Sequence, residues 1–148
     1  MTKIIVNSKA EMAQLASEIA AVAQIGDVIC LSGTLGAGKT FFAKSFINSL
    51  QENKSEILSP TFNLVYSYLT KKGEVFHFDL YRLKSAQELE NIGFFDALKN
   101  GICLIEWSEI AQKYLPKNRS EIEIKITDKN NKEMREILIK KTTEKICS

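Results

Sequence analysis

The stretch from Val28 to Thr40 constrains the fold of this chain more than any other. It starts with four apolar residues in a row, which is typical of a strand buried on both faces. The pattern Gly-x-x-x-x-Gly-Lys-Thr follows from Gly33 to Thr40. Apolar residues then recur at helical spacing, at Phe42, Ala43, Phe46, Ile47 and Leu50. Strand, glycine-rich loop and helix in this order predict a phosphate-binding P-loop.

The residue types of this loop suit a nucleoside triphosphate. Its glycines permit backbone conformations closed to other residues, so that backbone N–H groups and the positive end of the next helix can surround the phosphates. Lys39 would bridge the outer phosphates and the Thr40 hydroxyl would ligate magnesium. The alternative is a glycine-rich turn with a solvated Lys39. The predicted nucleotide-binding residues of the loop are Gly33, Thr34, Leu35, Gly36, Ala37, Gly38, Lys39 and Thr40.

Composition limits the class of protein. The chain has 148 residues, 45% of them hydrophobic and 26% charged, which predicts one globular domain over residues 1–148. No apolar run reaches membrane-spanning length, and the apolar part of the N-terminus is too short for a secretory signal. The net charge of +2 is too small to indicate nucleic-acid binding, and the three cysteines have no metal-ligand spacing. We therefore expect a cytoplasmic protein without a membrane partner.

The remaining segments predict a three-layer α/β, P-loop NTPase-like domain with a mixed parallel and antiparallel sheet. Capping boxes at Ser8 and Ser85 each predict the start of a helix, and the first helix would have the apolar stripe Met12, Leu15, Ile19 and Val22. Gly93 would interrupt the second. Further predicted elements are strands at Thr2 to Val6, Asn63 to Leu69, Glu74 to Leu80, Ile102 to Ile105, Glu121 to Ile126 and Met134 to Lys140, and a short helix near Glu109 to Tyr114.

Three polar residues outside the loop are candidates for catalysis. Glu106 follows a four-residue apolar strand, as a Walker B acid does, and would help to hold magnesium; an exposed strand-end glutamate is the alternative. Asp79 ends another strand and would bind magnesium through water or orient the attacking water, unless it only caps the next turn. Thr61 would sense the terminal phosphate as a switch residue, or else bond its own backbone.

Three further residues have less specific readings. His77, the single histidine, is expected to be a packed, hydrogen-bonded core residue rather than a catalyst. Arg82 would stabilise charge on a transferring phosphoryl group or pair with a nearby carboxylate. Trp107 is expected to fill a gap at the sheet edge, whereas an exposed Trp107 would indicate a partner contact.

Four motifs taken together resemble the TsaE (YjeE) family. They are Gly33 to Thr40, Ser59-Pro60-Thr61-Phe62, His77-Phe78-Asp79-Leu80-Tyr81-Arg82-Leu83 and Leu104-Ile105-Glu106-Trp107, and the resemblance spans roughly residues 8 to 140. It implies a weak ATPase that binds ATP and magnesium and acts with TsaD and TsaB. TsaD, helped by TsaB, transfers threonylcarbamoyl to the adenosine beside the anticodon of tRNA. Contact with tRNA would be indirect, through that complex.

The resemblance also assigns individual residues. Thr40 and Glu106 match the family's magnesium positions, and Asp79 matches an acid implicated in ATP hydrolysis. Lys9 and Lys132 fall near positions that flank the nucleotide. Two other functions remain open from the sequence: a small P-loop kinase acting on a small molecule, and a nucleotide-gated binding module with little turnover.

Overall fold

The computed structural model describes residues 1–52, 56–61, 63–127 and 130–142. The strands are β1 (Thr2–Val6), β2 (Val28–Ser32), β3 (Val65–Thr70), β4 (Gly73–Asp79), β5 (Ile102–Glu106), β6 (Arg119–Ile126) and β7 (Arg135–Thr142). These described strands form one seven-stranded sheet in the order β1-β7-β6-β2-β5-β4-β3. The helices are α1 (Lys9–Val22), α2 (Lys39–Leu50), α3 (Glu88–Asn91), α4 (Phe94–Asn100) and a 3-10 helix (Ser108–Tyr114).

The sheet is parallel at its centre and antiparallel at its sides. β2 pairs in parallel with β5 and β6, and β4 pairs in parallel with β5. β3 with β4, β6 with β7, and β1 with β7 are antiparallel pairs. This confirms the predicted mixed sheet. Because β2, β4 and β5 run in the same direction, their carboxyl ends meet at one edge of the sheet, which is where α/β proteins bind ligands.

Helices pack on both faces of the sheet, as predicted for three layers. α1 and α2 cover one face, where their apolar side chains meet residues of β2, β5, β6 and β7. α3, α4 and the 3-10 helix cover the other face over β2, β4 and β5. The buried side chains of α2 are Lys39, Phe42, Ala43, Phe46, Ile47 and Leu50, so its predicted apolar stripe is confirmed. None of the helices in the described part of the chain is long and apolar enough to cross a membrane.

The predicted capping box at Ser8 starts α1, where Ser8 Oγ accepts a hydrogen bond from the Glu11 N–H. The prediction at Ser85 is wrong about the start of the helix. The Glu88 carboxylate accepts from the N–H groups of Lys84 and Ser85, but α3 begins only at Glu88 and has no side-chain cap. The stripe of α1 is partly wrong, because Val22 is 76% exposed. The helix ends at that residue and the extended backbone of Ala23 enters the core instead. Met12 and Leu15 of the predicted stripe are buried, and Ile19 is partly buried against the same core. The other buried residues of α1 are Ala16 and Ala20.

Some predicted boundaries also shift. β3 begins at Val65 rather than Asn63, because Leu64 has a φ of 68° that a strand does not permit. The last helical segment is a 3-10 helix that begins at Ser108. Residues 128 and 129 of the predicted turn at 128–131 lie outside the described residues. Phe62 of the predicted Ser59 to Phe62 motif lies outside them too.

Candidate nucleotide-binding site

The loop between β2 and α2 has the backbone that its glycines predict. Gly33, Gly36 and Gly38 have φ values of 144°, 81° and 113°. A Cβ atom at Gly33 would lie 2.5 Å from the carbonyl oxygen of Ile124, so this residue passes directly against β6. α2 begins immediately after Gly38, at Lys39. The loop therefore leads straight into a helix N-terminus, the arrangement in which backbone dipoles favour an anion.

Lys39 is not a solvated surface lysine. Its side chain is almost fully buried, its Nζ donates a hydrogen bond of 2.6 Å to the carbonyl oxygen of Gly33, and Nζ lies 3.7 Å from the centroid of the Trp107 ring. Burial lowers the pKa of Lys39, although the nearby carboxylates of Glu106 and Asp79 oppose this shift. The ammonium is thus held inside the loop by a carbonyl oxygen and an aromatic ring.

Glu106 is 2% exposed, so the alternative of a solvent-facing strand-end glutamate is wrong. Thr40 Oγ1 lies 2.9 and 3.0 Å from its two carboxylate oxygens. His77 Nε2 lies 2.6 Å from Oε2 on the other side. The two residues predicted to hold magnesium are therefore in direct contact, one at the start of α2 and the other at the end of β5.

Asp79 lies directly opposite Glu106 in the register of β4 and β5, and it is also buried. Its Oδ1 accepts the N–H of Tyr81 at 3.0 Å, which is the turn-capping role considered from the sequence. Its Oδ2 lies 3.3 Å from Thr61 Oγ1, and Ser59 Oγ lies 3.0 Å from that same hydroxyl. The structure therefore brings Thr61 and Asp79 together beside Glu106.

A cavity of about 230 Å³ adjoins the loop. It is lined by Ser8, Lys9, Met12, Gly36, Ala37, Gly38, Phe41, Lys132, Glu133 and Arg135. Lys9 and Lys132, which are 123 positions apart in the sequence, thus both lie at the same opening beside the P-loop. The cavity combines apolar surface with a few charged groups, as small-molecule sites do.

Sequence reasoning missed Arg135, which connects this cavity to the loop. Its Nε donates to the carbonyl oxygen of Ala37 at 2.8 Å, and its Nη1 donates to the carbonyl oxygen of Lys132 at 2.7 Å. Arg135 therefore holds residues 132–135 against the P-loop. No local pattern signals this role, since the contact joins residues 98 positions apart.

The donor atoms at the strand ends fit magnesium. The Thr40 hydroxyl and the carboxylates of Glu106 and Asp79 are hard oxygen donors, which Mg²⁺ prefers. Among the described residues, no cluster of three or more histidine, cysteine or carboxylate side chains could hold a metal alone. Such a cluster is not required, because Mg²⁺ usually takes one or two carboxylates and completes its shell with phosphate and water.

Trp107 directly follows β5 at the edge of the sheet where the carboxyl ends of the strands meet, and it is half-buried there, so the alternative of a solvent-facing Trp107 does not apply. Its ring lies over Lys39 and packs against Tyr81 with 4.8 Å between ring centroids. The backbone of Trp107 is left-handed, with a φ of 57°. His77 is buried and hydrogen-bonded, as expected. Arg82 is exposed, and its role in charge stabilisation stays a prediction.

Comparisons with known proteins agree with the motifs. Residues 6–137 match the sequence model of the family described as threonylcarbamoyl adenosine biosynthesis protein TsaE. The chain is 40% identical over 129 residues to TsaE of Rickettsia felis, covering 87% of this chain and 75% of that protein. It is also 40% identical over 136 residues to TsaE of Aquifex aeolicus, covering 91% and 95%.

The fold comparison gives the same result. The crystal structure of Bacillus subtilis YdiB superposes with a TM-score of 0.74 and 31% sequence identity, covering 96% of this chain and 86% of that chain. Sequence and fold thus agree over most of the chain, including the P-loop and the ends of β4 and β5. This chain therefore belongs to the TsaE family of tRNA threonylcarbamoyladenosine biosynthesis proteins.

Proposed function

We propose that this protein binds ATP with magnesium at its P-loop and hydrolyses ATP weakly, as an accessory to the TsaD–TsaB complex that transfers threonylcarbamoyl to tRNA. The observation that carries the proposal is the contact between Thr40 and the buried Glu106 beside Lys39. Burying a carboxylate next to a P-loop hydroxyl and lysine costs free energy, because the charge loses its hydration. Such a cost is expected where the buried group has a function. A bound metal and triphosphate account for all three groups.

Binding would use groups that already converge on the loop. The phosphates would occupy the space bounded by the loop glycines and the start of α2, and Lys39 would exchange its contacts with Gly33 and Trp107 for phosphate oxygens. Lys9 and Lys132 would flank the rest of the nucleotide at the adjoining cavity. Magnesium, held by Thr40 and Glu106, would neutralise charge on the phosphate oxygens.

The same geometry gives a reason for weak hydrolysis without partners. Asp79 would orient the attacking water, but its two carboxylate oxygens already accept hydrogen bonds from the Tyr81 N–H and the Thr61 hydroxyl. Each carboxylate oxygen can accept a second hydrogen bond, so an attacking water would share Oδ2 with Thr61, and a shift of Thr61 toward the terminal phosphate would leave Oδ2 to the water. A partner that displaces Thr61 would therefore accelerate hydrolysis. In this proposal TsaD and TsaB are such partners, tRNA is met only through their complex, and the protein works in the cytoplasm.

The contact between Thr61 and Asp79 also favours a second candidate, a nucleotide-gated binding module with little turnover. In that function ATP would reposition the segment that contains Thr61, and hydrolysis would serve only to reset it. The two candidates share one nucleotide site. They differ in the rate of phosphate release once partners are present.

One assay tests the proposal. Phosphate release from ATP and Mg²⁺ is measured for the chain alone and then with purified TsaD and TsaB. We expect slow release that the two proteins increase. The leading proposal fails if the complex neither binds this chain nor changes its hydrolysis, and binding without any release would favour the gated module.

A variant pair tests the site itself. Glu106→Gln keeps the volume of the buried side chain and removes its charge, so magnesium-dependent ATP binding or hydrolysis should fall while the fold survives. Glu90→Gln makes the same chemical change at an exposed position of α3 and should behave as the unmodified protein. Full activity of Glu106→Gln would show that the charge of Glu106 is not needed for magnesium-dependent ATP binding or hydrolysis.

A further inference from the structure

His77 is a fully buried polar residue that the proposed reaction does not yet use. It lies on β4 between Phe76 and Phe78. Val75, two positions earlier and on the same face of β4, belongs to the core against α2. Burying an imidazole among apolar side chains is costly unless its polar atoms have partners. One ring nitrogen has such a partner, since Nε2 lies 2.6 Å from Oε2 of Glu106.

The pairing of β4 and β5 places these two side chains. Asp79 is paired with Glu106, and His77 is paired with Leu104. Side chains two positions apart on a strand point to the same face, so His77, Asp79 and Glu106 share the face that α2 covers. His77 is therefore a diagonal neighbour of Glu106, held on an interior strand rather than on a loop.

The direction of this hydrogen bond follows from the other ring nitrogen. Nδ1 is buried and has no hydrogen-bond partner among the described residues, so a hydrogen there would be left unpaired. We assign the ring hydrogen to Nε2, where the Glu106 carboxylate accepts it. A hydrogen bond to an ionised acceptor is roughly twice as strong as a neutral one.

Glu106 is thus held from two sides, by the Thr40 hydroxyl and by His77. These two contacts differ in what a metal would do to them. Thr40 would offer its oxygen to the metal in the proposed site, and its hydrogen bond to Glu106 would be lost or weakened. The His77 contact approaches from within the sheet and does not compete with the metal for the Thr40 oxygen.

We propose that His77 is a positioning residue, which holds the Glu106 carboxylate in the orientation that binds magnesium. This inference rests on the proposed function, because it gives Glu106 a metal to bind. Outer-shell groups of this kind typically change metal affinity by about 10–100-fold when they are removed. His77 itself would touch neither the nucleotide nor the metal.

The test compares two amide variants of the whole chain. In His77→Gln the side-chain amide nitrogen reaches the place of Nε2 and can still donate to Glu106, whereas in His77→Asn it reaches only the place of Nδ1. Both variants put a neutral amide in the same buried site, so the comparison does not involve replacing a polar side chain by an apolar one. His77→Leu removes the donor entirely and serves as a third variant.

The readout is binding rather than turnover. A fluorescent ATP analogue is titrated into each variant in EDTA and at a series of Mg²⁺ concentrations. We expect similar affinity in EDTA for all variants, near-normal Mg²⁺ dependence for His77→Gln, and at least about a tenfold higher Mg²⁺ requirement for His77→Asn. Circular dichroism melts of each variant identify any that do not fold, and the comparison of Gln with Asn stays decisive if His77→Leu is one of them.

The outcomes separate the two proposals. If the unmodified chain binds the analogue with a clear Mg²⁺ dependence and the Asn and Gln variants show that same dependence, His77 only fills space and this inference is overturned. An equal loss of affinity in EDTA and in Mg²⁺ would also overturn it, because a structural defect would then explain the result. If the unmodified chain binds no nucleotide, the proposed function fails and this inference fails with it.

Discussion

Gly33→Ala tests the close approach of the P-loop to the sheet. Gly33 is the first residue after β2, and a Cβ atom there would lie 2.5 Å from the backbone oxygen of Ile124 and 3.2 Å from the Cβ of Ala37. A backbone oxygen cannot rotate away as a side chain can. The substitution therefore requires β2 and β6 to separate at this point, or the loop to adopt another path.

The structure gives the size of the effect. A φ of 144° costs a residue with a side chain about 1–3 kcal/mol, and relieving the contact with Ile124 costs about 1–3 kcal/mol more by analogy with overpacked cores. Gly36→Ala is the matched control, because Gly36 has a φ of 81° in the same loop and no atom lies within 4 Å of its added Cβ. Only the backbone cost applies to that variant, so the two should differ by about 1–3 kcal/mol.

Thermal unfolding measures this difference. With about 2–4 °C of melting temperature per kcal/mol for a protein of this size, Gly33→Ala should melt roughly 2–12 °C below Gly36→Ala. Urea unfolding of both variants gives the free energies directly. Equal melting temperatures for the two variants would show that the loop does not press against Ile124, and would refute the reasoning from this contact.

Three further predictions concern the site and the core. Lys39→Ala should abolish nucleotide binding, measured by calorimetry. Lys99→Ala, at an exposed position of α4, should not change it. Unchanged nucleotide affinity of Lys39→Ala would contradict the proposed nucleotide site. Saturating ATP should change the fluorescence of Trp107, the single tryptophan, because Lys39 would leave its ring; constant emission on proven binding would mean that Lys39 stays. Burial raises the pKa of Cys30 to about 11 and that of Cys103 to about 12. Iodoacetamide at pH 8 should therefore label these two thiols only after denaturation, as measured by peptide mass spectrometry. Labelling of either thiol in the folded protein would contradict its burial.

Much of this site can be read from the sequence because its signals are local. Strand, glycine-rich loop and helix follow one another within Val28 to Leu50, and each element was predicted from periodicity and glycine positions that act over a few residues. Glu106 and Asp79 are recognisable because each ends an apolar strand. The stripe of α1 failed at its last residue, Val22, since the exact end of a helix depends on what the next residues pack against.

Other parts of the site have no local signal. The role of Arg135 depends on a contact with Ala37 across 98 positions, and the cation–π contact of Lys39 with Trp107 depends on the left-handed backbone that follows β5. The sequence predicts only a packed core histidine at His77. The register of β4 and β5 places its Nε2 against Glu106. Register is set by the pairing of distant strands and cannot be counted along one of them.

The sequence alone therefore determined the loop, the helix after it and the acids at the strand ends, because each results from short-range periodicity and backbone preference. Only the tertiary structure decided which side chains surround Glu106 and Asp79. β2 and β5 are neighbours in the sheet although they lie far apart in the chain. Their pairing brings Thr40, at the start of α2, into contact with Glu106, 66 positions later at the end of β5. Their contacts depend on strand order and register, which are properties of the whole sheet.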